Sequence, residues 1–71
     1  MNKNKLVIKK IKETIEAKQS EWASNYIAKA YQSTLNTGEA DKQVKSAELN
    51  MKLIDETIAF LKSLLKAETK N

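Results

Sequence analysis

The sequence contains no cysteine, no histidine and no proline, and only one glycine among its 71 residues. Without cysteine there are no disulfides and no thiolate chemistry, and the further lack of histidine excludes the usual zinc ligand sets. We therefore expect no metal site and no cofactor. A chain this short buries only about 60% of its unfolded surface. With disulfides and metals excluded, association with another subunit is the remaining way to stabilise it.

Long apolar runs and catalytic motifs are also missing. No run approaches the roughly 20 residues of a membrane-spanning helix, and Leu6-Val7-Ile8 is too short for a signal-peptide core. We therefore expect a cytoplasmic protein without a transmembrane segment. The sequence has no glycine-rich phosphate loop and no metal motif. No catalytic residue is identified, and a role in binding is favoured over an enzymatic one.

The residues that are present favour helices. In the first half, apolar positions recur with an average spacing close to 3.6, which predicts one amphipathic helix over about residues 5–36. The members of this stripe are Ile8, Ile11, Ile15, Trp22, Tyr26 and Ala30. The polar stretch around Gln19 weakens the pattern, so a break into two helices at that point is an alternative.

The second half has an unbroken heptad seam, which predicts a helix over about residues 39–68 packed lengthwise on another helix. The seam consists of Val44, Ala47, Met51, Ile54, Ile58, Leu61 and Leu65. Between the halves, Gly38 is expected to take the left-handed conformation that ends a helix, followed by Glu39 and Asp41 in the next first turn. Two equal legs around one turn predict an all-α, antiparallel helical hairpin, with residues 1–71 as a single domain.

More apolar surface is present than one hairpin seam can cover. Leu53, Phe60 and Leu64 widen the apolar arc of the second helix to about 160°, against roughly 100° for one-sided packing. Tyr31 lies on a similar second ridge of the first helix. We predict that these four residues form an oligomer or partner interface, and that two hairpins dimerise into a four-helix bundle. Higher oligomers and a hetero-complex are the alternatives.

Aromatic residues allow two interpretations. Trp22 and Tyr26 lie four residues apart on the main stripe, which favours packing in the core over a binding hot spot. Tyr31 lies off the stripe, and this position makes it the better candidate for an interface.

The basic residues are all lysines and are unevenly placed. Residues 1–12 and 59–71 carry eight lysines and one acid, a balance of +7, whereas residues 13–58 carry five lysines and eight acids, a balance of −3. Solubility, self-complementarity in an antiparallel dimer and an anion-binding surface are three competing explanations. Without arginine, base-specific DNA reading is disfavoured, but lysine can still bind phosphates. The candidate anion-binding residues are Lys5, Lys9, Lys10, Lys12, Lys62 and Lys66.

Two resemblances accompany these patterns. The segment Ile11-Lys12-Glu13-Thr14-Ile15-Glu16, followed by Gln19-Ser20-Glu21, resembles small Firmicute helical proteins of the YvfG type, which implies no function. In length and architecture alone, the chain is similar to Rop-like helical hairpins, antiparallel dimers that bind paired RNA loops. The sequence thus favours a small bacterial or phage regulator or adaptor that contacts another protein as a homodimer. A nucleic-acid-binding regulator using its lysines and a membrane-surface or immunity-type protein are the alternatives.

Overall fold

The computed structural model describes residues 2–70, with side chains from residue 4 onwards, and these residues form two antiparallel α-helices. Helix α1 spans Asn2–Ser33 and helix α2 spans Gly38–Thr69, each with 32 residues. The hairpin measures 55 × 14 × 11 Å. The prediction of an all-α helical hairpin is confirmed. Helix α1 is continuous through Gln19, so the alternative of a break at that residue is wrong.

The turn occupies residues 34–37 and differs from the prediction. Asn36, with a φ of 54°, takes the left-handed conformation, whereas Gly38 has no positive φ and is the first residue of α2. The expectation of a left-handed Gly38 is therefore wrong, and α1 ends before residue 36. Asparagine can play this part because its short polar side chain tolerates the left-handed region better than most residues. Thr37 then caps α2, with its Oγ1 accepting a hydrogen bond from the backbone N–H of Ala40 at 3.0 Å.

The packing seam of α2 contains the predicted heptad residues. Ala47 and Ile54 are buried, and the remaining members (Val44, Met51, Ile58, Leu61 and Leu65) are half-buried. The repeat also extends to a buried Ala40 at one end and a half-buried Glu68 at the other. Steps of three and four residues alternate along this whole series, as in an antiparallel coiled coil.

The packing seam of α1 departs from the predicted stripe after Trp22. Tyr26 and Ala30 are exposed, and the half-buried positions nearer the turn are instead Asn25, Lys29 and Gln32. The expectation that Tyr26 packs in the core is therefore wrong. The physical reason is that contact with a second helix follows a 3.5-residue repeat, which drifts from the 3.6-residue line of a straight helix by about 20° per heptad.

Two polar contacts between the helices hold the half of the hairpin nearest the turn. The Asn25 and Asn50 side chains form a hydrogen bond of 3.1 Å, and the Lys29 ammonium lies 3.1 Å from the Glu48 carboxylate. The half nearest the chain ends has an apolar seam instead, with Ile11 and Ile15 buried. Within residues 2–70, neither helix is long and apolar enough to cross a membrane.

Candidate interaction surfaces

The two seams divide the rest of the hairpin surface into two flanking faces. The seam residues take heptad positions a and d, with Ile15 of α1 and Ile58 of α2 at a, and Ile11 and Ile54 at d. In an antiparallel pair, positions g and c of both helices then lie on one side of the seam, positions e and b lie on the other, and position f lies on the outer surface. Two surface grooves agree with this division. One is formed by Val7, Lys10 and Thr14 beside Leu61, and the other by Gln19 and Trp22 beside Asp55 and Lys62.

We name the g and c side the low-charge face. Among the described side chains it carries only three charged residues, namely Lys10, Glu21 and Glu39. Its other members on α1 are Val7, Thr14, Ala17, Ser24, Ala28 and Tyr31, and those on α2 are Gln43, Ser46, Asn50, Leu53, Thr57, Phe60, Leu64 and Ala67.

The four residues predicted for an interface all lie on the low-charge face. Tyr31 is 61% exposed, Leu53 51%, Phe60 62% and Leu64 39%. At the end of this face nearest the chain termini, an apolar groove of about 310 Å³ runs between α1 and Leu61. The face therefore offers large apolar side chains, small side chains and an open groove along one surface of the hairpin.

The opposite side, at positions e and b, is the charged face. Its ionisable side chains are Lys5, Lys9, Lys12, Glu16, Asp41, Lys45, Glu48, Lys52, Asp55, Lys62 and Lys66. They are distributed unevenly along the helices. The lysines Lys5, Lys9, Lys12, Lys62 and Lys66 lie together at the end that contains the chain termini, and we name them the lysine patch.

The structure sorts the six lysines predicted to bind anions into two groups. The five of the lysine patch are exposed, and none of them is in the ion pairs found among residues 4–70. Lys10 lies instead on the low-charge face, where its ammonium is 3.7 Å from the Glu13 carboxylate. The six therefore do not form a single cluster.

Trp22 lies at the boundary between the seam and the charged face. Its ring stacks on Tyr26 with centroids 5.7 Å apart and planes 6° from parallel. Within residues 4–70, the buried indole N–H has no hydrogen-bond acceptor. An unpaired buried donor costs about 1–3 kcal/mol, so this tryptophan is held by packing and not by a polar partner.

Sequence reasoning missed the polar contacts Asn25–Asn50 and Lys29–Glu48. The signal that could have revealed them is the continuation of the heptad steps through Lys18, Asn25, Lys29 and Gln32, which polarity alone hides. Among the described residues there is no group of three or more histidine, cysteine, aspartate or glutamate side chains that could hold a metal ion.

Comparison of the chain with protein-family models, with curated proteins and with solved structures finds no match. The resemblances to YvfG-type proteins and to Rop-like hairpins therefore stay predictions.

Proposed function

We propose that the protein is a small homodimeric interaction module, a regulator or adaptor rather than an enzyme. Two hairpins pack through their low-charge faces into a four-helix bundle, and the outer helix surfaces contact another protein. The observation that carries this proposal is the position of exposed Tyr31, Leu53 and Phe60 on the low-charge face, which has three charged side chains among residues 4–70. Several exposed apolar side chains gathered on one face favour an interaction site over scattered surface exposure.

The single hairpin exposes more surface than a compact chain of its mass. Its accessible surface is 5598 Å², whereas a compact monomer of 8.0 kDa is expected to expose about 4,450 Å². The excess of roughly 1,100 Å² is similar to the ~800 Å² that each partner buries in a standard interface. Part of this excess accessible surface comes from the elongated shape of the hairpin. Pairing of two hairpins along their length would reduce the excess.

The position of the low-charge face suits a second hairpin. At 100° per residue, the centre of the g and c positions lies about 110° around the helix from the centre of the packing seam. In a four-helix bundle each helix contacts two neighbours at roughly a right angle. The small side chains Ala17, Ser24 and Ala28 on α1 leave room for the larger ones that α2 presents.

Sedimentation equilibrium of paired variants tests the dimer. The wild-type protein is expected to sediment at about twice its 8.0 kDa chain mass at micromolar concentration. Leu53→Lys/Phe60→Lys places two charges on the low-charge face and is expected to raise the dimer dissociation constant at least about a hundredfold, since each buried large apolar side chain contributes about 1.5–3 kcal/mol.

The matched control is Ile27→Lys/Leu49→Lys. These residues are as exposed as the first pair, at 66% and 57%, but lie at heptad position f, away from the proposed interface. The control is expected to remain dimeric. A wild-type protein that is a helical monomer at micromolar concentration, or a control that dissociates as much as the interface variant, would contradict the proposal.

A further inference from the structure

Beyond the proposed dimer, we propose that the lysine patch binds the phosphate backbone of double-stranded nucleic acid without reading its sequence. The patch lies within one hairpin and on the face opposite the proposed dimer interface. It therefore does not depend on dimerisation, and the two proposals can fail separately.

The patch combines lysines from both helices on one side of the molecule. Lys5, Lys9 and Lys12 follow one another over about two turns of α1, roughly 10 Å at 1.5 Å per residue. Lys62 and Lys66 extend from α2, whose axis lies about 8–10 Å away, as is usual for packed helices. A charged area of this size can contact several phosphates at once.

The acids near the patch that the structure describes form no ion pair with it. Glu13 and Glu16 lie one helical turn from Lys9 and Lys12 but pair with neither of them, Asp55 lies nearer the turn, and Glu68 is half-buried in the seam. No ion pair among residues 4–70 includes a lysine of the patch, although three other lysines of the chain are paired. The ammonium groups are therefore available to an external anion.

The grouping is not explained by the stability of the hairpin. Lys5–Lys9 and Lys62–Lys66 are like-charge pairs at i, i+4 spacing, which destabilise a helix by a few tenths of a kcal/mol each. Lys5 also lies near the N-terminal end of α1, where the helix dipole disfavours positive charge. A bound polyanion offsets both effects.

The side chains around the patch favour nucleic acid over a membrane surface. Peripheral binding to a bilayer usually combines basic residues with aromatic or aliphatic side chains that enter the lipid. Leu6, which is 64% exposed, borders the patch beside Lys9, and a single leucine offers a bilayer little apolar surface to bury. On the charged face itself, within residues 4–70, the one exposed large apolar side chain is Tyr26, about 20 Å from Lys12 along the helix. Lysine side chains supply point charges that suit phosphates. The chain has no arginine, the residue that most often recognises bases through two hydrogen bonds.

The test is fluorescence anisotropy with a labelled duplex DNA and a labelled duplex RNA as probes, measured over a range of salt concentrations. Five lysines on phosphates give a slope of log K against log salt of about −4.5, which corresponds to roughly 500-fold weaker binding at 200 mM than at 50 mM salt. Scrambling the sequence of either probe is expected to leave the affinity unchanged within about twofold, because phosphate contacts carry no sequence information.

Two variants with the same change of net charge locate the site. Lys9→Gln/Lys12→Gln/Lys62→Gln is expected to bring the slope to about −2 and to weaken binding at least tenfold at low salt. Lys42→Gln/Lys45→Gln/Lys52→Gln, which alters exposed lysines nearer the turn, is expected to keep the wild-type slope. All six substituted lysines are exposed, five of them on the charged face and Lys42 beside it. Circular dichroism should therefore show both variants to be as helical as the wild type.

Three results would overturn the inference. One is the absence of duplex binding at low salt, and another is equal weakening by both variants, which would indicate an effect of net charge alone. The third is binding to vesicles that contain anionic phospholipid without binding to either duplex, which would assign the patch to a membrane surface.

Discussion

Single residues at the turn determine where α1 ends and α2 begins. Asn36 takes the left-handed conformation, and Thr37 caps α2 through its hydroxyl. Gly38 follows as the first helical residue, with open space around the position of a Cβ atom. The one glycine of the chain therefore occupies a site that has no need of its conformational freedom.

Gly38→Ala is accordingly expected to stabilise the hairpin by about 0.4–1 kcal/mol. Alanine loses less backbone entropy than glycine on folding and fits the ordinary helical conformation of this position. Urea denaturation followed by circular dichroism measures the free energy of unfolding. Asn36→Gly serves as the comparison and should also stabilise, because glycine suits a positive φ. A loss of 1 kcal/mol or more in Gly38→Ala would mean that Gly38 is left-handed after all.

The position of the turn could be predicted from the sequence, but the identity of its left-handed residue could not. A glycine between two amphipathic segments identified the position of the turn to within a few residues. It did not identify the left-handed residue, because asparagine also adopts that conformation and the choice depends on where α1 stops. The acidic first turn of α2, with Glu39 and Asp41, was predicted correctly from the helix dipole.

Each helix contributes a seam whose two halves differ in chemistry. Near the chain ends the seam is apolar, with buried Ile11 and Ile15 on α1. Near the turn it combines alanines with the Asn25–Asn50 hydrogen bond and the Lys29–Glu48 pair. Exposed pairs of this kind contribute about 1 kcal/mol or less. Burial of Ile11 and Ile15 is therefore expected to contribute more to the stability of the hairpin than these two polar pairs.

Ile15→Ala is expected to reduce the free energy of unfolding by about 2–4 kcal/mol, because Ile15 is 8% exposed and its removal leaves a cavity in the seam. The same substitution at Ile27, which is 66% exposed on the same helix, provides the control. Ile27→Ala should change stability by no more than about 0.5 kcal/mol. Thermal and urea unfolding of the two variants compare them directly. Equal costs would show that α1 packs through a different face.

Prediction was more successful for α2 than for α1, for a physical reason. In α2 the apolar residues coincide with the heptad positions that contact α1, so the spacing identified the seam directly. In α1 the apolar line continues to Tyr26 and Ala30, whereas the contact passes through Asn25 and Lys29. Only the register against α2 decides between them. The same register places Lys10 on the low-charge face, away from the lysine patch. This separation could not be predicted without knowing how α1 packs on α2.

The whole molecule is elongated, with a radius of gyration of 16.2 Å, whereas a compact chain of this length is expected to have about 11 Å. Two such hairpins can pair with their turns at the same end or at opposite ends. Residues 1–12 and 59–71 are strongly basic, and residues 13–58, which include the turn, have an excess of acids. We expect turns at opposite ends, since that arrangement brings unlike charges closer and separates the two lysine patches.

This orientation predicts a distance that spin labels can measure. The chain has no cysteine, so Ser33→Cys creates a unique labelling site at the turn end of α1. With turns at opposite ends, the two labels of a dimer lie about 45 Å apart along the bundle, which is the length of the helix at 1.5 Å per residue. With turns at the same end, only the bundle width separates them, roughly 20–25 Å for interaxial distances of 8–10 Å plus the labels.

Ser20→Cys, near the middle of α1, should give a short distance in both arrangements and so confirms that dimers are being observed. A short distance at Ser33→Cys as well would contradict the expected orientation and place both turns at the same end. Packing of the low-charge faces would then outweigh charge complementarity.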